Sequence, residues 1–168
     1  CGSGDLLAAI RSAWEEKSSG RNWEGCGCGN LVETGRIRMA EIECCGIDIN
    51  PDNIEAALEK NIPGLLLGDA EDIETLLPPE MMFEVVIFCG RLNRQVTTRE
   101  KALRILMKTL PQLRSNGHII VTGYTSCHFS AADLAGMGMT VLRKSIQENI
   151  FKDYQNYSLR QLYAARKM

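Results

Sequence analysis

Apolar positions along this chain recur with two periods, one helical and one extended. Over residues 5–16, Leu6, Leu7, Ile10 and Trp14 fall on one helical face, and Ser18, Ser19 and Gly20 stop that helix. Short apolar runs at 42–49, 64–68, 83–89, 118–123, 139–145 and 159–166 predict strands, and a stunted one is expected at 22–24. The run at 83–89 is almost wholly apolar, as in a parallel strand buried on both faces.

Helices are expected between the strands. One covers 30–40, with Gly35 inside it. Another starts at Asn50 and Pro51, a capping side chain followed by a residue suited to the first helical position, and buries Ile54, Ala57 and Leu58. Thr97, Thr98, Arg99 and Glu100 have the form of a capping box. The helix behind them is expected to bury Ala102, Leu103, Leu106, Met107 and Leu110, and to end near Pro111. Asn116 and Gly117 form a turn, and Ser130 with Asp133 opens one more helix.

Alternating strands and helices predict a three-layer α/β/α domain around a mostly parallel sheet. No helix of normal length separates the last two strands, so they should return antiparallel. At 168 residues, without repeats or linkers, residues 1–168 read as a single domain.

A hydrophobic fraction of 45% and a charged fraction of 24% are those of an ordinary globular chain. No apolar run nears the roughly 20 residues of a membrane helix, and no signal peptide is visible. Seven cysteines, an odd number, fit a reducing cytoplasm better than a disulfide framework. Cys26 with Cys28 and Cys44 with Cys45 lack the spacer of a zinc knuckle, so no metal is expected.

Charge is unevenly spread. Residues 41–80 hold eleven acids and one base, whereas 91–168 hold thirteen bases and four acids. Such a split is either solvated surface or a face for an anionic partner. No basic block interleaved with aromatics points to nucleic acid.

The chemistry concentrates at Glu24-Gly25-Cys26-Gly27-Cys28-Gly29-Asn30, followed nineteen residues after Gly29 by Asp48. Glycines let the backbone approach a nucleotide, and an acid at the end of the next strand accepts from ribose hydroxyls. A dinucleotide fingerprint requires a third glycine where this chain has Asn30. The pattern Gly-x-Gly-x-Gly behind an acid instead resembles motif I of the class I S-adenosylmethionine (AdoMet) dependent methyltransferases. Glu24 abuts Gly25, one residue closer than that motif has it. Asp69 after the third strand, the apolar run at 83–89, Asn116-Gly117 and the terminal hairpin extend the resemblance over nearly the whole chain.

The resemblance implies a Rossmann-like, seven-stranded sheet of order 3-2-1-4-5-7-6, with strand 7 antiparallel. It implies AdoMet as cofactor, with Glu24, Gly25, Gly27 and Gly29 at its methionine and ribose parts. Asp48 would bind the ribose, Ile49 would lie against the adenine, and Asp69 with Ala70 would contact the adenine amino group. Cys89 and Gly90 would line the methionine. Asn93, Tyr124 and His128 are the catalytic candidates, and Arg91 and Arg94 would hold an anionic group of the acceptor. Residues 1–22 would cap the pocket. The expected function is methyl transfer to a small molecule, an anionic one among the options, by a cytoplasmic enzyme, with no nucleic-acid or membrane partner. A homodimer is the assembly the resemblance allows. A nicotinamide-dependent oxidoreductase and a non-catalytic methyltransferase-like scaffold are the alternatives.

Overall fold

The structure, a computed structural model, describes residues 5–18, 43–62, 64–124, 127–147 and 160–168. The expected strand at 22–24, the glycine loop and the helix at 30–40 lie outside these residues. The chain divides into two compact units, Cys1–Gly68 and Asp69–Met168, and each is described by itself.

In the first unit, α1 (Asp5–Ser18) is the expected N-terminal helix. β1 (Gly46–Asp48) pairs in parallel with β2 (Leu65–Leu67), and α2 (Pro51–Leu58) connects them. Asn50 caps α2 as expected, its side chain accepting from the Asp52 amide at 3.0 Å. β1 is shorter than the expected 42–49. Gly64, with φ +71°, turns the chain just before Leu65, so the ladder opens only where the Gly46 amide donates to the Gly64 carbonyl. Ala57 is fully buried and Ile54 half-buried, but Leu58, expected inside, is 56% exposed. It stands at the last position of α2, about 100° round the helix from Ala57.

The second unit is built on a four-stranded sheet of order β3-β4-β6-β5, comprising β3 (Phe83–Cys89), β4 (Leu113–Tyr124), β5 (Met139–Gln147) and β6 (Arg160–Lys167). β3 and β4 are parallel, and β6 runs antiparallel to both β4 and β5. The terminal hairpin is therefore as expected, with its second strand inserted between β4 and β5.

Register aligns Val86 with Ile119 and Ala165, and Phe88 with Val121 and Tyr163. These rows form one face of the core, closed by α4 (Arg99–Thr109) and by Leu134 of α5 (Ala131–Gly136). α5 opens with the expected capping box, Ser130 and Asp133 each accepting from the other's amide. α3 (Ile73–Leu76) is a single turn that buries Ile73. The Asn116-Gly117 turn lies inside β4 rather than before it. Residues 114–117 stand opposite the single residue Glu84, and Asn116 takes φ +63°. The run at 83–89 is less buried than expected: only Phe88 is fully inside, and among the described residues β3 pairs with β4 alone.

α4 differs from expectation in two ways. Its cap is Thr98, which accepts from the Lys101 amide at 3.3 Å, so the third helical position is Lys101 and the Thr97–Glu100 box does not form. Its buried stripe is Ala102, Ile105, Leu106 and Thr109, leaving Leu103 and Met107 exposed. Counting apolar residues cannot choose between these two faces. The polar stripe Lys101, Arg104 and Lys108 chooses, because it must meet the acids at 69–74. Lys167 adds a lock at the other end, donating to the Leu110 and Leu113 carbonyls at 2.8 Å, where a cation suits a helix terminus.

This rotation predicts opposite outcomes at neighbouring positions. Ile105→Ala should cost about 2–5 kcal/mol, whereas Met107→Ala should stay within about 0.5 kcal/mol. Urea denaturation of the two variants checks this; equal losses would contradict the assigned face.

Candidate cofactor and acceptor site

In the first unit, Asp48 ends β1. Its Oδ1 accepts from the Asn50 amide at 2.9 Å, and Asn50 in turn caps α2. The strand end, the acid and the helix start are thus held in one turn. Ile49 projects beside it, 57% exposed. An anchored carboxylate next to an exposed aliphatic surface suits a ribose and its base.

In the second unit, Asp69 caps a short 3-10 turn at Ala70–Asp72 by accepting from the Glu71 amide at 3.1 Å. The same oxygen, Oδ1, accepts from Arg91 at 2.7 Å, and Oδ2 accepts from Lys101 Nζ at 2.6 Å. The network continues outward from Asp69. Glu71 meets Lys101 at 3.4 Å and Arg104 at 2.5 Å, and Lys108 donates to the Glu71 carbonyl and pairs with Glu74 at 3.2 Å. Burial pushes the Asp69 carboxyl up, but the Lys101 hydrogen bond, the Glu71 amide and the Arg91 charge outweigh it and hold it below its ordinary value.

Two of the expected site residues hold protein partners here. The Asp69 oxygens take three protein donors, two on Oδ1 and one on Oδ2, so Oδ2 keeps acceptor capacity for a further contact at this turn. Arg91 donates to Asp69 through one Nη, and Arg94 is exposed. Part of the uneven charge in the sequence is likewise accounted for: Arg91, Lys101, Arg104 and Lys108 meet the acids at 69–74.

At the carboxyl ends of β3 and β4, Cys89 is exposed and its Sγ accepts from Thr122 Oγ1 at 3.6 Å. Gly90 then turns the chain with φ +72°, and its amide donates to the Thr122 carbonyl at 2.8 Å. The Asn93 amide donates back to the Gly90 carbonyl at 3.2 Å, while the Asn93 carbonyl accepts from Val96 and Thr97 at 3.0 and 3.1 Å. The Asn93 side chain is only 4% exposed, and its Oδ1 finds no hydrogen-bond partner among the described residues. It rests on Gly123, where any Cβ would collide with Oδ1. Thr97 Oγ1 is a second buried acceptor without a partner there.

Tyr124 ends β4, and its side chain lies outside the described residues. Glu24, Gly25, Gly27 and Gly29 lie outside them altogether. His128 is half-buried in the following loop. Its amide donates to the Leu92 carbonyl at 3.0 Å, and its Nε2 is 2.7 Å from the Thr97 carbonyl. Cys127 forms a bridge to Asn93, and burial raises its thiol pKa despite the Phe129 and His128 amides. Among the described residues no group of three His, Cys, Asp or Glu side chains could hold a metal ion, and no helix is long and apolar enough to cross a membrane.

Sequence reasoning passed over Lys101 and Gly123 as site residues and read Thr97 only as a helix cap. Lys101 carried a signal, the spacing Lys101, Arg104, Lys108 on one flank of a helix following an acidic segment. Nothing in the sequence marked Gly123, or Thr97 as part of this site.

A scan against protein-family models finds no match, and neither does a search of curated proteins. Solved structures do match. The magnesium protoporphyrin IX methyltransferase of Synechocystis PCC 6803, solved with bound AdoMet, aligns with a TM-score of 0.61 at 18% identity, covering 100% of this chain and 67% of that one. A methyltransferase from Methanosarcina mazei aligns at 0.54 and 14% identity, covering 74% of this chain and 81% of its own. The fold is that of the class I AdoMet-dependent methyltransferases. The cyclase SpnF also shares it, with a TM-score of 0.57, 14% identity, and coverage of 76% of this chain and 66% of that chain. The class I fold therefore does not by itself dictate the reaction.

The Asp69 network gives a test with a defined sign. Its carboxyl titrates below the unfolded value of about 3.9. Its contribution to stability is therefore complete at neutral pH and is lost as pH falls from about 4 through the folded value. Asp69→Asn should lower the Tm at about pH 7, and the gap to the unmutated protein should close as pH falls below about 4. Thermal unfolding across pH checks this; a gap of constant size would contradict it.

Proposed function

We propose that the protein binds AdoMet and transfers its methyl group to a small molecule. The observation that carries this reading is the insertion of antiparallel β6 between β4 and β5, after parallel β3 and β4. Nicotinamide-binding sheets of the doubly wound type are mostly parallel, and Asn30 stands at their third glycine. The seven-stranded order 3-2-1-4-5-7-6 in a single domain is part of the proposal.

The residues present fit such a cofactor. Asp48 and Ile49 offer an anchored acid beside an apolar surface, and Gly25, Gly27 and Gly29 supply a loop without side chains. Gly90 leaves space at the end of β3, where, among the described residues, an added Cβ would meet only Asn93, at 3.8 Å. AdoMet, when bound, supplies an electrophilic methyl on a good leaving group, so the protein's work is alignment and water exclusion.

In this reading Asp48 accepts from the ribose hydroxyls, Asp69 with the Ala70 backbone meets the adenine amino group, and Cys89 and Gly90 line the methionine. Asn93 faces the acceptor with an oxygen that has no partner among the described residues, and it accepts from a hydroxyl or amine and so orients the nucleophile's lone pair. Tyr124 remains a candidate beside the acceptor. Arg91, held in place by Asp69, and the exposed Arg94 are the candidates for an anionic group on it.

Titration calorimetry should show AdoMet binding and no NAD binding. Asp48→Ala should weaken AdoMet by roughly tenfold to a hundredfold, the worth of hydrogen bonds to a charged acceptor. Unchanged affinity in that variant would remove the ribose assignment, and NAD binding would favour the oxidoreductase.

A further inference from the structure

We propose that His128 is a positioning residue, a clasp that holds the turn carrying Asn93, rather than a base acting through its Nε2. The Thr97 carbonyl can only accept, so at 2.7 Å the imidazole Nε2 must carry a hydrogen and donate it. That commits the neutral ring to the Nε2–H tautomer. A base acting from Nε2 would have to give up this bond.

The clasp bridges the two loops that leave the carboxyl ends of β3 and β4. From the second loop, the His128 amide donates to Leu92 and its Nε2 to Thr97, five residues apart on the first loop. Between those points the Thr97 and Val96 amides donate to the Asn93 carbonyl and close the turn. The Asn93–Cys127 bridge ties the loops again.

Arg99 holds the clasp from behind. Its guanidinium donates to the His128 carbonyl at 2.6 Å and to Asp133 at 3.2 Å, and it lies over the Phe129 ring with Cζ 5.5 Å from the centroid. His128 thus has partners at its amide, its carbonyl and its ring. This arrangement keeps the buried Asn93 carboxamide against Gly123 with Oδ1 unpartnered among the described residues, which the desolvation cost of such an atom would otherwise oppose.

The inference rests on the methyltransferase reading only for what Asn93 faces; the clasp itself is independent of it. Nitrogen-15 NMR of the imidazole in the unmutated protein is the first test, and the neutral ring should be protonated at Nε2. A ring protonated at Nδ1 overturns the proposal, and this measurement needs no variant to fold.

The second test follows the Asn93 side-chain amide, which should exchange slowly with solvent. Exchange should accelerate at least tenfold in His128→Ala and stay slow in His128→Gln, whose amide nitrogen can donate to Thr97. Equal protection in both variants would contradict positioning through Thr97. Calorimetry with AdoMet on the unmutated protein separates the two claims: failure to bind would remove the methyltransferase reading and leave the tautomer result standing.

Discussion

The Asp69 carboxylate organises the second unit. One oxygen takes the Glu71 amide and the Arg91 guanidinium, the other the Lys101 ammonium. Through these three donors it fixes the 3-10 turn at 70–72, the first residue pair beyond β3, and the first turn of α4. Charge-assisted bonds of this kind are among the stronger polar interactions. They matter here because they converge on a carboxylate that is only 16% exposed, which would cost stability without partners. The rotation of α4 follows. With Lys101, Arg104 and Lys108 turned to the acids, Ala102, Ile105, Leu106 and Thr109 must face the sheet, and Leu103 and Met107 must face out.

Beside this polar junction, the loops after β3 and β4 follow a different rule. They are held by backbone bonds and one imidazole, and they enclose two acceptor atoms, Asn93 Oδ1 and Thr97 Oγ1, that the described residues do not satisfy. Natural folds satisfy most buried polar atoms, and exceptions gather where a site gives up local stability for function. Gly90 and Gly123 make the arrangement feasible, one by its left-handed turn and the other by leaving room for the Asn93 carboxamide.

Much of this was legible in the sequence. Asn50 with Pro51 marked the start of α2, Ser130 with Asp133 marked α5, and the missing helix before residue 159 marked the antiparallel return. Local chemistry sets each of these, so local pattern reveals it. Leu58, Leu103 and Met107 misled because an apolar residue near a helix face is not distinguished from one on it without the tertiary partner. The spacing pointed to a box from Thr97 to Glu100, and only the helix itself placed the cap one residue later, at Thr98. Asp69, Arg91 and His128 were visible as reactive groups, but their roles depend on partners 22 to 32 residues away. Spacing carries no record of such pairs.

The class I fold narrows function without fixing it, since a cyclase shares it with methyltransferases. The case for AdoMet rests on the combination of fold, glycine loop and Asp48. Hydrogen–deuterium exchange with and without AdoMet tests that combination most directly. Added AdoMet should slow amide exchange at 46–50 and 88–93 and leave 139–147 unchanged. An exchange map identical with and without AdoMet would contradict the account.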